Sequence, residues 1–68
     1  MAENQKNLRF GVIAVQKGFV TPEQVVDALV LQVREYFSNG KHKLIGEILI
    51  DQGHLNQDQL YEILRDSK

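Results

Sequence analysis

The chain has 68 residues and no cysteine, and its 8 basic and 9 acidic side chains give a net charge of −1. This length limits it to one domain with a modest core, and the lack of cysteine excludes disulfides, thiolate metal sites and thiol nucleophiles. The near-zero net charge argues against DNA binding. No apolar run approaches the ~20 residues of a membrane span. Because the first residues are polar, unlike a signal peptide, we expect a soluble, cytoplasmic protein without membrane insertion.

The first helix is expected over about residues 8–17. It should end at Gly18, since glycine readily takes the left-handed conformation that closes a helix. The next stretch, Thr21–Gln24 (TPEQ), has a capping threonine, a proline for the first turn and a glutamine that can complete a capping box. A second helix should therefore span about residues 22–37.

The third helix is expected over about residues 44–52, with Gly53 closing it. Asn56–Gln59 (NQDQ) has the same capping pattern as the earlier TPEQ stretch, so a fourth helix should run from there to about Arg65. The residues at both chain ends, MAENQ among them, have no evident packing partner, so we expect them to fray.

The four helices form a repeat, because residues 9–24 return as residues 44–59 at an offset of 35 without a gap. A helix-turn-helix unit of this size cannot bury its apolar face alone, so two units should share one core. The predicted fold is all-α: a single domain, 1–68, with unit one at about 8–37, a connector at 38–43 and unit two at about 44–66.

Comparing the copies separates a predicted core from a predicted surface. The core positions are those that are apolar in both copies: Ile13/Ile48, Ala14/Leu49, Val15/Ile50, Val20/Leu55, Val25/Leu60 and Leu29/Leu64. Positions that are apolar in one copy and charged in the other should be peripheral, because an unpaired buried charge is costly; they are Val12/Glu47, Val30/Arg65 and Leu31/Asp66.

The second helix has a broad apolar arc that is predicted to be mostly core. Its members are Val25, Val26, Leu29, Val30, Val33, Tyr36 and Phe37. Leu31 falls outside this arc, which leaves two interpretations. It is either a single surface leucine, or part of a patch with Val12 and Val30 that receives a partner or a second copy of the chain.

A family resemblance rests on a run of spaced residues in the first copy. Arg9-Phe10-Gly11, an apolar helix, Gly18-Phe19-Val20, Val25, Leu29 and Gln32 resemble a tandem motif of the N-terminal domain of bacterial ATPases that drive type II secretion and type IV pilus assembly. Some members of that family bind cyclic di-GMP through two copies of the motif. Others use the domain to dock on a partner protein of the secretion machine.

The resemblance implies a nucleotide site at Arg9, Gly11 and Gln32. A guanidinium can bind guanine, and free N–H groups at a helix start attract phosphate. In the second copy, Leu44 and Ser67 replace the motif's arginine and glutamine.

The chain lacks the motifs expected of an enzyme or a metal site. It has no G-x-x-x-x-G-K-[ST] phosphate loop, no metal-ligand spacing around its two histidines, and no paired nucleophile and base. The leading interpretation is therefore a non-enzymatic module, without a cofactor, that binds a protein partner or itself. The alternative is a cyclic di-GMP sensor. DNA binding is a weaker third idea, because the candidate recognition helices carry only Arg34 and Arg65.

Overall fold

A computed structural model describes the backbone of residues 2–66 and the side chains of residues 7–66. Four helices are present: α1 (Ala2–Gln16), α2 (Pro22–Asn39), α3 (Ile45–Asp51) and α4 (Gln57–Asp66). No strand occurs in this part of the chain, so the all-α prediction is confirmed. Within the same residues, no helix is both long enough and apolar enough to cross a bilayer.

Two helix bounds differ from the prediction. α1 begins at Ala2 instead of about residue 8, so most of the residues that were expected to fray belong to a helix. Met1, Ser67 and Lys68 lie outside the described residues. The residues before Leu8 include good helix formers, and the helix gains a tertiary contact where Asn7, 8% exposed, packs inside the molecule. α2 extends two residues beyond the predicted end, to Asn39, and closes at Gly40 with a φ of +67°.

The turn within each helix pair has the same geometry. Gly18 and Gly53 have φ values of +77° and +82°, which side-chain-bearing residues rarely adopt. In each turn the residue after the glycine donates a backbone hydrogen bond five residues back: Phe19 to Ala14 at 3.0 Å and His54 to Leu49 at 2.9 Å. Both predicted glycine stops are confirmed as Schellman-type helix ends.

The predicted caps are also matched. Thr21 Oγ1 accepts from the Gln24 backbone N–H at 3.2 Å, and Gln24 Oε1 accepts from the Thr21 N–H at 3.0 Å. Asn56 and Gln59 make the same reciprocal pair at 2.8 and 3.0 Å. These turns and caps support two tandem helix-turn-helix units, which stay an interpretation of the sequence.

One buried cluster joins all four helices, and α1 is the helix that packs against each of the other three. α3 packs against both α1 and α2, while α1 also contacts α2 and α4. The buried members are Phe10, Ala14, Val20, Val25, Ala28, Ile45, Ile48, Leu49, Leu55 and Ile63. Several predicted core residues lie instead at its half-buried edge, namely Ile13, Val15, Leu29, Ile50 and Leu60. Leu64 is 47% exposed, so its assignment to the core is wrong.

The apolar arc of α2 is not mostly core, contrary to the prediction. Its outer residues Val26, Val30, Val33, Tyr36 and Phe37 are exposed, from 44% at Val30 to 80% at Phe37. Leu31 is half-buried against the core, so neither its interpretation as a surface leucine nor its place in a partner patch holds. The reason is rotational: α2 turns the face with Ala28 and Leu31 inward, which leaves the opposite face to solvent.

Candidate interaction surface

The outer face of α2 carries a continuous row of exposed apolar side chains, here called the apolar stripe. It consists of Val26, Val30, Val33 and Phe37, all exposed. Their spacing of four, three and four residues keeps them on one side of the helix over about 16 Å. Apolar residues at this spacing are typical of a helix that pairs with another helix.

An open groove between α1 and α2 adjoins the stripe at Val26, and we call it the first-pair groove. It has a volume of about 310 Å³ and is lined by Leu8, Gly11, Val12, Val15, Gln16, Pro22, Val25, Val26 and Leu29. The helices approach closely at Gly11, where an added Cβ would come within 2.6 Å of Val25 Cγ1. On the α1 side, Leu8 and Val12 are exposed, so the apolar surface spans both helices.

The corresponding groove of the second pair, here called the second-pair groove, has a volume of about 270 Å³ and is lined in part by Asn7 and Phe10 of α1. Phe10 of α1 lies over Gly46, since an added Cβ there would come within 3.0 Å of the Phe10 ring and 2.8 Å of Leu60 Cδ1. Phe10 itself is only 8% exposed. At the matching Gly11, the three atoms nearest to an added Cβ all belong to Val25, the counterpart of Leu60. One groove thus holds an aromatic ring from another helix, and the other does not.

Two sets of charged side chains bear on this surface: one set joins the two helix pairs, and the other lies beside the stripe. Lys17 Nζ donates to Glu62 Oε2 at 3.0 Å and also pairs with Asp66, which links the first turn to α4. These partners raise the pKa of Lys17 above its usual value, and Lys17 lowers the pKa of Asp66. Asp27 and Arg34, exposed on one flank of the stripe, make no ion pair with another described residue.

The three predicted nucleotide residues do not line a common groove. Gly11 lies well inside α1, which begins at Ala2, so its N–H is not at a helix start. Gln32 Nε2 donates to the Lys43 carbonyl at 2.8 Å and so ties α2 to the segment before α3. Arg9 is exposed, and neither Arg9 nor Gln32 lines the groove that contains Gly11. In the second copy, Leu44 lines the second-pair groove, and Ser67 lies outside the described residues.

The sequence does not predict two features of the structure. The first is the exposure of the stripe, because the spacing of its residues equally fits a helix face in the core. The buried Asn7 side chain accepts from the Ile45 N–H at 3.4 Å and so caps α3, whose own N-cap residue, Leu44, provides no side-chain bond. No sequence signal identifies this cap, because the two residues are far apart along the chain.

Comparison of the chain with protein-family models, with curated proteins and with solved structures gives no match. The resemblance to the secretion ATPase domain therefore rests on the motif residues. Among the described residues, no group of three or more His, Cys, Asp or Glu side chains is placed to hold a metal ion.

Proposed function

We propose that this chain is a small, non-enzymatic interaction module that binds a protein partner through the apolar stripe and the first-pair groove. The observation that carries the proposal is the exposure of Val26, Val30, Val33 and Phe37 in one row on α2. A contiguous apolar surface of this kind on a small domain marks an interaction site, because leaving it in water forfeits the free energy of burial.

The shape of the surface favours a helical partner. A straight stripe beside an apolar groove is suited to an amphipathic helix that anchors side chains at intervals of three and four residues. Two predicted patch residues, Val12 and Val30, lie on this surface, whereas Leu31 does not. The motif resemblance also supports a docking role, and the cytoplasmic location stays a prediction.

Two observations favour the interaction module over the cyclic di-GMP alternative. The Gly11 N–H lies within α1, away from its start, and Gln32 already donates to the Lys43 carbonyl. We therefore keep the interaction module as the function that the geometry supports best.

Site-specific photo-crosslinking in the source cells tests the proposal. A benzophenone amino acid would replace Val12 or Val30, and a third variant would carry it at Tyr61, which is 65% exposed on α4. We expect protein adducts at positions 12 and 30 and few at position 61. If positions 12 and 30 crosslink no more than position 61, the proposed surface is wrong.

A further inference from the structure

Building on the proposed function, we infer that the partner is a second copy of this chain, paired through antiparallel α2 helices across a two-fold axis. In this dimer the two apolar stripes pack against each other. Phe37 of each chain enters the first-pair groove of the other. Three features of the surface support this pairing over a different protein: its register, its charges and its groove.

The register comes from the symmetry of the stripe. A two-fold axis between residues 31 and 32 sets Val30 against Val33 of the second copy and Val26 against Phe37 of the second copy. Every stripe residue then meets another stripe residue, and none faces solvent or a charge. The four, three, four spacing is the one by which two α-helices interdigitate along a left-handed crossing. The stripe is therefore complementary to its own reversed copy.

The same register pairs opposite charges. Asp27 and Arg34 flank the stripe on one side of α2 and lie on opposite sides of the two-fold axis. Asp27 of each chain therefore lies beside Arg34 of the other, which gives two symmetric ion pairs from groups that have no described partner within the chain. A parallel pairing would instead place Asp27 beside Pro22 and Arg34 beside Leu29, and both charges would stay unpaired.

The first-pair groove offers a binding site for Phe37, an aromatic side chain that is exposed to solvent within its own chain. Phe37 is 80% exposed at the end of the stripe, and in this register it lies opposite Val26, where the groove opens. A dry apolar cavity of about 150 Å³ is enough to hold benzene, and the groove has about 310 Å³. The second pair already shows this mode of packing, because the Phe10 ring covers Gly46 there.

The test is a charge-reversal experiment on the purified full chain, read by sedimentation over concentrations up to roughly 1 mM, which is the weak end of specific affinities. Wild type should shift from one to two chain masses. Asp27→Arg and Arg34→Asp should each raise the dissociation constant at least tenfold, because each sets like charges together twice. Mixed in equal amounts, the two variants should form a heterodimer with an affinity close to that of wild type, because both ion pairs are restored.

Asp58→Arg is the control, since it makes the same charge change at an exposed position on α4 and should leave the dissociation constant unchanged. Circular dichroism of each variant confirms that it is folded. A wild-type chain that stays monomeric at the highest concentration overturns the dimer. So does a mixture of the two variants that pairs no better than either alone. If the chain is monomeric but positions 12 and 30 still crosslink specifically to a different protein, the dimer fails and the proposed function stands.

Discussion

The two helix pairs share their turn chemistry and differ in what covers them. Both have a glycine stop with positive φ, a reciprocal cap and a close helix crossing at a glycine. The groove of the second pair, about 270 Å³, has Asn7 and Phe10 of α1 in its wall, whereas the groove of the first pair, about 310 Å³, is lined by α1 and α2 alone. The outer face of α2 is also exposed. The same local sequence signals therefore produce the same turns, whereas the lining of each groove depends on which helices pack against that pair.

The two pairs also differ in the composition of their exposed surfaces. Where the first pair has Val12 and Val30, the second has Glu47 and Arg65, all exposed. The second pair is therefore suited to solvent at positions where the first pair is suited to contact. A surface that is apolar at these positions in one pair alone is expected if only that pair receives a partner.

The largest effect that separates the pairs is expected from the matched isoleucines. Ile48 is 1% exposed, so Ile48→Ala should cost about 2–5 kcal/mol of unfolding free energy through lost burial and a residual cavity. Ile13 is half-buried at the edge of the core, so Ile13→Ala should cost about half as much. Urea unfolding followed by circular dichroism measures both, and equal costs would show that the pairs are equally covered.

Similar, smaller losses are expected from the two caps. Thr21→Ala and Asn56→Ala each remove one acceptor of a reciprocal cap, which should cost about 1 kcal/mol. Ser38→Ala, at an exposed position near the end of α2, is the control and should change stability little. The same unfolding measurement applies. If only one of the two substitutions lowered the free energy of unfolding, the two turns would not be equivalent.

The smallest effect concerns the ion pairs between the helix pairs. Because the pKa of Lys17 is raised, its stabilisation is complete below the ordinary pKa of 10.5 and is lost as pH rises above that value. The pKa of Asp66 is lowered, so its stabilisation is present above the ordinary 3.8 and is lost as pH falls below it. Screening by solvent keeps both contributions modest.

Thermal midpoints measured against pH test this linkage. Wild type should be nearly level between the two limits, and Lys17→Met should weaken the loss of stability at both ends. Arg9→Met serves as the control, because it removes an exposed charge of the same sign from α1. A Lys17→Met profile parallel to that of wild type would mean that these ion pairs contribute nothing measurable.

The sequence by itself determined the local structure. Thr21, Asn56 and the glycines at positions 18 and 53 act within one turn of the chain, so their hydrogen bonds and φ values follow from residue chemistry alone. The number, order and approximate bounds of the helices were predictable for the same reason. The start of α1 was not, because no cap residue marks it and part of its support is the tertiary contact of Asn7.

Only the tertiary structure decided which apolar residues are buried. Val25 and Val26 are adjacent in the sequence and of one residue type, yet the first is 6% exposed and the second 56%. Periodicity shows that α2 is apolar over a wide arc, but the short α3 covers only one side of it. The rotation of α2 is set by its packing against α3 and α1, a property of long-range packing that no local stretch of sequence contains.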